Sequence, residues 1–283
     1  TRVEEIAVTV PQRQVLAVIE EPASAPGLLE ASARLTELGV APSVLALVVK
    51  MPAPQDPMPT EEVETAEHRL RLRAREENWF AAVSQIIERW MVGVAARGIG
   101  AEWIDVEGNA TRVIAAYGHR AETVVVAARG TSGAILREHL HAALFESGTG
   151  VLVVPPGAAG GFGTSVAIAW QEDGRAEKAV AAALPILRKA KAIHVLHAGP
   201  GAGSDAAQPL PAILGWNSLA AQLHHVPAHD GDTGHRLLDA AHAVGADLVV
   251  MGAFGHGEWR DNLLGGVTRT MLAEADLPLL MHH

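Results

Sequence analysis

The chain has 283 residues, of which 49% are hydrophobic and 19% charged, with a formal net charge of −10 and no cysteine. This length exceeds that of a typical domain, so we expect two domains. The missing cysteines exclude disulfides, cysteine-ligated zinc and thiolate nucleophiles, and the acidic balance argues against a broad surface for nucleic acid.

Strands and helices alternate along the first part of the chain. Apolar runs predict strands at 14–19, 44–49, 101–106, 123–127 and 151–154. Helical periodicity predicts helices at 28–38, 61–97, 111–117 and 134–145. The run at 124–126 is continuously apolar, which is typical of a parallel strand covered by helices on both faces.

A second series begins after the glycine- and proline-rich stretch at 155–161. Its predicted strands are 165–170, 192–197, 223–226, 247–251 and 277–281, and its predicted helices are 176–190, 210–221, 234–244 and 262–275. This order repeats that of the first series. We therefore predict an α/β fold of two tandem, doubly wound parallel-sheet domains with flanking helices, at residues 1–157 and 158–283, in preference to one continuous sheet.

Each predicted domain ends on an apolar strand, at 151–154 and at 277–281. An edge strand offers its unpaired backbone groups to any other strand that can reach them. We expect these two final strands to pack together, so that the chain imitates a dimer of single domains.

A glycine-rich loop runs from Met251 to Arg269 and reads MGAFGHGEWRDNLLGGVTR. It follows a predicted buried strand and leads into a predicted helix. Glycine lets backbone N–H groups approach a phosphate closely, and a helix N-terminus adds unsatisfied donors and a favourable dipole. Open parallel sheets bind ligands at the carboxyl ends of their strands, near the point where the strand order reverses. The loop therefore predicts an anion-binding site.

The loop resembles that of the universal stress protein family, whose nucleotide-binding members carry G-x2-G-x9-G-[ST] between the fourth strand and the last helix of the domain. The positions that match this pattern and its usual continuation are Gly252, Gly255, Gly265, Val267 and Thr268. Gly266 departs from the pattern, because glycine lacks the hydroxyl with which Ser or Thr would contact phosphate. The resemblance extends over essentially the whole chain, in the tandem two-domain bacterial form. It implies that the four glycines border the phosphates and that Val267 and Thr268 belong to the same nucleotide-binding site.

The same resemblance implies contacts with the nucleoside. Gln171 stands after the first strand of the second domain, where the family commonly has an Asp that helps to hold adenosine, and Gln keeps the hydrogen bonding without the charge. Val195 would flank the adenine, and Met251 would support the nucleoside end of the pocket. The alternative for Val195 and Met251 is a purely structural role in the core.

The first domain departs further from the family pattern. Residues 130–133 preserve the start of the loop, but Ala143 and Leu144 occupy the distal glycine and hydroxyl positions. We therefore expect the first domain to lack a nucleotide site of the family type and to serve a structural or interaction role.

Histidines are numerous, 14 in all, but their spacing does not define a metal site. A transition metal needs three or four converging ligands, and the His-Glu-x-x-His pattern is missing. His224 and His225 cannot both face one pocket, because neighbouring strand residues point to opposite faces. We expect no metal site. His256 lies inside the glycine loop, where it contacts phosphate, assists slow hydrolysis or only packs the loop.

The resemblance implies a stress-response protein that binds ATP or another adenine nucleotide, with or without magnesium, and is not an enzyme. Two alternatives stay open, a nucleotide-independent interaction or dimerisation module and a slow ATPase. We expect a protein partner of unknown identity, with or without formation of a homo-oligomer, and no contact with nucleic acid or membrane. No run approaches the roughly 20 apolar residues of a membrane span and no secretory signal is visible, so we expect a cytoplasmic location.

Overall fold

The computed structural model describes residues 14–50, 66–128, 134–158, 161–199, 211–227, 232–254 and 266–283. The strands of the first half are β1 (Gln14–Ile19), β2 (Ser43–Lys50), β3 (Gly100–Glu107), β4 (Ala121–Ala127) and β5 (Gly150–Val154). Its helices are α1 (Ala25–Glu37), α2 (Ala66–Ala95), α3 (Ala110–Gly118) and α4 (Ala134–His141), which continues into a π-helical turn, Ala142–Glu146.

The second half has the same alternation of strands and helices. Its strands are β6 (Ser165–Trp170), β7 (Ala192–Gly199), β8 (Gln222–Pro227), β9 (Leu248–Gly252) and β10 (Leu279–His282). Its helices are α5 (Gly174–Leu187), α6 (Ala212–Trp216), α7 (Thr233–Ala243) and α8 (Gly266–Glu274). Among the helices of the described residues, none is both long enough and apolar enough to cross a membrane.

The described strands form one ten-stranded sheet in the order β3-β2-β1-β4-β5-β10-β9-β6-β7-β8. Neighbouring strands in this sheet run parallel except β5 and β10, which are antiparallel. Read outward from the centre, both halves have the same strand order. The predicted α/β fold with parallel strands and flanking helices is confirmed, whereas the preference against one continuous sheet is wrong. The predicted domain boundary, between residues 157 and 158, falls in the connection from β5 to β6.

The sheet is continuous because the last strands of the two halves pair with each other. Leu152 lies opposite Leu280, and the flanking pairs are Val153 with Leu279 and Val151 with Met281. All of these side chains are buried. The predicted contact between the two final strands is therefore confirmed, and it satisfies backbone groups that would otherwise form an exposed apolar edge.

Helices cover both faces of the sheet and divide the core into two layers. Side chains of α1, α2 and α5 pack on one face, and side chains of α3, α4, α7 and α8 pack on the other. Alternation along each strand supplies both layers, so that in β1 Ala17 joins the first layer while Leu16 and Val18 join the second. In sheets of this kind ligands bind at the carboxyl ends of the parallel strands.

The predicted helix at 210–221 is wrong in extent, because α6 ends at Trp216. Ser218 adopts a φ of 55°, and the N–H groups of Ser218 and Leu219 return to the carbonyls of Gly215 and Leu214. This pair of hydrogen bonds terminates a helix, and the residue with the left-handed backbone conformation is normally glycine. The sequence carries serine there, so it gave no stop signal.

Shortening Leu152 tests whether the central strand pair holds the two halves together. Leu152 has an exposed fraction of 0%, and we expect Leu152→Ala to lower the free energy of unfolding by about 2 to 5 kcal/mol. The matched control is Val92→Ala on α2, where the side chain is 76% exposed and the change should stay within about 0.5 kcal/mol. Urea unfolding measures both, and equal stabilities would contradict a packed centre.

Candidate functional site

The second half places two strand ends side by side at the carboxyl edge of the sheet. β6 lies between β7 and β9 and is parallel to both. The chain leaves β6 towards β7 and later returns to the other side of β6 through β9, so the strand order reverses between β6 and β9. Such a reversal opens a crevice in which α/β proteins bind their ligands. Gln171 follows β6 at this edge, and the glycine loop follows β9.

The start of α5 lies over this crevice and is capped by its own sequence. The carboxylate of Asp173 accepts hydrogen bonds from the N–H groups of Arg175 at 3.1 Å and Ala176 at 2.8 Å. Asp173 thus satisfies donors that an uncapped helix would offer to an anion. An Asp before a helical pattern is a cap signal that sequence reasoning could have used, and it was missed.

Arg175 ties α5 to the start of the glycine loop. Its Nη1 donates to the carbonyl oxygen of Phe254 at 2.5 Å, and its Nη2 lies 3.6 Å from Asp173 Oδ2. The guanidinium therefore brings a positive charge to the exit of β9. No local sequence signal marks Arg175, because its contact with Phe254 bridges two distant parts of the chain.

Gly252 is required by packing in this structure. A Cβ at this position would lie 2.9 Å from the backbone nitrogen of Ala176 and 3.0 Å from Cβ of Arg175. Neither distance is compatible with a side chain unless the backbone of α5 moves. The lack of a side chain at the first glycine of the loop is therefore explained by packing, without a phosphate.

Phe254 has an unusual backbone conformation, with a φ of 52°. Its N–H donates to Thr268 Oγ1 at 3.4 Å while its carbonyl accepts from Arg175. A non-glycine residue in this region costs on the order of 1 to 3 kcal/mol and persists only where surrounding contacts impose it. Bonds from α5 and α8 therefore hold the start of the loop in one conformation.

The predicted phosphate positions on α8 differ in their exposure. Gly266 begins the helix, is exposed and has no left-handed φ. Among the described residues outside its own helix, no atom lies within 4 Å of the place that a Cβ would take. Val267 is half-buried, and Thr268 is buried with its hydroxyl directed at Phe254. Gly255, Gly265 and His256 lie outside the described residues.

The predicted nucleoside positions do not come together at one surface. Gln171 is exposed after β6. Val195 is fully buried in the middle of β7, opposite Ile168, and Met251 is buried on the other face of the sheet. Both apolar side chains belong to the core here, which is the structural alternative considered for them, and a nucleoside contact at either position stays a prediction.

The family model for universal stress proteins matches residues 165–283, which span β6 to β10 and include the crevice described above. This part of the chain belongs to the universal stress protein family. A search of curated protein sequences gives no match.

Solved structures resemble the whole chain in fold. A universal stress protein from Archaeoglobus fulgidus DSM 4304 is 17% identical with a TM-score of 0.67, over 95% of this chain and 97% of that chain. A putative universal stress protein from Pseudomonas aeruginosa UCBPP-PA14 is 15% identical with a TM-score of 0.56, over 96% of this chain and 93% of that chain. At these identities the likeness establishes the arrangement of strands and helices that both halves share.

The first half shows that one sequence correspondence was wrong. Ala143 and Leu144 are buried in the π-helical turn at the end of α4, whereas Gly266 stands at the beginning of α8. The match made from sequence spacing therefore pairs the end of one helix with the start of another and does not hold in the structure.

The carboxyl edge of the first half contains a buried polar pair and a cavity. Glu20 follows β1 as Gln171 follows β6 in the universal stress protein domain, and its Oε1 lies 2.8 Å from Nδ1 of His139, with both side chains buried. A cavity of about 520 Å³ nearby is lined by Glu21, Ser24, Gly27, Leu28, Ala127, Val154 and residues 155–158, among others. The predicted lack of a nucleotide site in this half stays a prediction.

Two histidines meet on adjacent strands of the universal stress protein domain. Nδ1 of His194 on β7 and Nε2 of His224 on β8 are 3.0 Å apart, and His194 is only 8% exposed. Burial lowers the pKa of His194 from its ordinary value, and the charge of His224 lowers it further. Within the described residues, no group of three or more His, Cys, Asp or Glu side chains could hold a metal ion.

The lowered pKa of His194 predicts that stability falls in mild acid. The unfolded chain takes up a proton near pH 6.5, whereas folded His194 resists it until a lower pH. This contribution to stability is complete above pH 6.5 and is lost as the pH falls below it. We expect His194→Gln to flatten the dependence of the free energy of unfolding on pH in this window.

Urea unfolding at a series of pH values measures the effect, with His197→Gln on the same strand as the matched control. His282 also has a pKa lowered mainly by burial, so part of the slope should persist in both variants. Identical pH profiles for His194→Gln and wild type would contradict the assignment.

Proposed function

We propose that this protein is a stress-response protein that binds an adenine nucleotide in its second half, with the phosphates at the start of α8. The observation that carries the proposal is the beginning of that helix, where Gly266 is exposed and no described residue outside the helix has an atom within 4 Å of the place that a Cβ would take. The first N–H groups of a helix lack acceptors within the helix, and the helix dipole favours negative charge there. Membership of residues 165–283 in the universal stress protein family supports the stress-response role.

The choice between two helix starts favours α8. The start of α5 also lies at the crevice, but the carboxylate of Asp173 already occupies its donors. An added phosphate there would meet a like charge, whereas at α8 it would meet the helix donors and, nearby, the guanidinium of Arg175. We therefore assign the phosphates to α8 and an electrostatic supporting role to Arg175.

The nucleoside end of the proposed site depends on Gln171. Its exposed amide after β6 can donate and accept hydrogen bonds with a base or ribose. It lacks the charge of the Asp that the family commonly has at this position, so we expect weaker binding than in members with that carboxylate. The proposal covers ATP, ADP or AMP, with or without magnesium.

The proposed mechanism is binding that biases conformation or the choice of a protein partner. The contacts described at the crevice hold backbone in place: a helix cap, a glycine that admits α5, and the bonds that fix Phe254. We propose no dedicated turnover, no nucleic-acid partner and no metal site. The competing function is a nucleotide-independent interaction module. The packing of α5 on Gly252 favours it, because this packing explains the glycine without a nucleotide.

Blocking the loop at its distal glycine is the first test. We expect Gly265→Val to abolish ATP binding, because a β-branched side chain would fill the space for phosphate and restrict the backbone. Gly93→Val, at an exposed position of α2 with no atom near its Cβ, is the matched control for the substitution itself. Calorimetric titration measures affinity, and thermal melting verifies that both variants fold.

Undiminished affinity for ATP in folded Gly265→Val protein would show that the glycine loop does not bind the phosphates. ATP would then bind elsewhere on the chain, whereas wild-type protein that binds no ATP would favour the interaction module. Measurement of phosphate release by wild-type protein separates binding from slow ATP hydrolysis.

Restoring the family's hydroxyl is the second test. Gly266→Ser should raise ATP affinity by about 2- to 100-fold, because a hydroxyl at the start of α8 can add a hydrogen bond to phosphate. The described part of the structure accommodates the change, since Gly266 has no left-handed φ and no described atom outside its helix lies within 4 Å of the place that a Cβ would take. Gly266→Ala is the matched control because it adds the Cβ without the hydroxyl, and equal affinities for the two variants would rule out a phosphate contact at this position.

A further inference from the structure

Contacts from both halves hold Phe254, at the start of the glycine loop. Within the second half, Arg175 bonds the carbonyl of Phe254 and Thr268 accepts from its N–H. The third contact comes from the first half of the chain, where Phe145 ends the apolar part of the π-helical turn. The ring centroids of Phe145 and Phe254 are 5.2 Å apart with an interplanar angle of 39°.

Phe145 is itself fixed by neighbours from both halves. The imidazole of His141 stacks on its ring with centroids 4.8 Å apart, and the imidazole of His283 lies at 4.4 Å. The position follows from the central strand pair, because the π-helical turn leads directly into β5 and β5 pairs with β10. The strand pairing therefore carries a ring of one half to the loop of the other.

The contact matters because Phe254 cannot keep its conformation unaided. Its φ of 52° lies in the left-handed region that residues other than glycine avoid. Residues held in such regions rely on surrounding structure, and the ring of Phe254 is 3% exposed. Removing Phe145 would take away the packing on one side of that ring and let the backbone of the loop's first residues relax.

The position of Phe145 in the first half has no aromatic counterpart in the sequence of the second half. Ala273 stands as far before Leu280 as Phe145 stands before Leu152, and a methyl group cannot stack on a ring. The aromatic support thus runs from the first half to the loop of the second half, which is the half with the family's glycine pattern.

We propose that Phe145 is a positioning residue for the glycine loop of the other half, and that the first half contributes to ligand binding through this ring. The inference that positioning serves a nucleotide rests on the proposed function. The inference that Phe145 holds the loop does not, because it concerns the unliganded chain.

Amide hydrogen exchange on the full chain without nucleotide tests the positioning role. Phe145→Ala should accelerate exchange in a peptide spanning 252–268 by about 2- to 10-fold, the range for loss of one aromatic pair. Phe145→Tyr keeps the ring and should restore wild-type exchange. Phe80→Ala is the matched control, because it also removes one ring of an aromatic pair. The partner ring is Trp103 at 6.2 Å, and both residues lie in the first half.

Titration of the same proteins with ATP supplies the second measurement. We expect Phe145→Ala to weaken binding by about 2- to 10-fold while Phe145→Tyr and Phe80→Ala bind as wild type does. Unchanged exchange in the 252–268 peptide of Phe145→Ala would overturn the positioning role. Faster exchange with wild-type ATP affinity would overturn the link to the ligand. Wild-type protein that binds no ATP would overturn the proposed function alone, and the exchange measurement would still decide the role of Phe145.

Discussion

The pairing of β5 with β10 is the constraint on which the rest of this structure depends. It places Leu152 opposite Leu280 at the centre of a ten-stranded sheet. Without it, two apolar strands would each be an open edge, with unpaired backbone groups and exposed side chains. With it, each half covers the edge of the other, and the π-helical turn before β5 comes to lie against the loop after β9.

Packing explains one glycine of the loop at the carboxyl edge of the second half. Gly252 admits the start of α5, so its lack of a side chain is explained before any ligand is considered. Asp173 caps the first donors of α5, whereas Gly266 at the beginning of α8 is exposed. The first glycine of the motif therefore has a packing role, and the proposed phosphate contact concerns the start of α8.

Sequence patterns predicted all ten described strands, and the inner ones are continuously apolar because helices cover both of their faces. They failed where a decision depended on register or on an unusual backbone. The end of α6 at Ser218 needed a left-handed residue that is not glycine. The match of Ala143 and Leu144 to the distal loop positions failed because these residues lie at the end of a helix, whereas Gly266 lies at the start of one. Val195 lies within the core of β7, and its contact with a nucleoside stays a prediction.

The sequence by itself determined the alternation of strands and helices, the apolar character of the final strands and the glycine pattern of the loop, because each is written in the order of neighbouring residues. Only the tertiary structure decided that the strands of the two halves form one sheet. It also decided that Arg175 and Thr268 bond the carbonyl and the N–H of Phe254, and that Phe145 of the first half contacts the ring of Phe254 in the second. These contacts join residues far apart along the chain. Their geometry follows from strand register and helix packing, which no local pattern encodes.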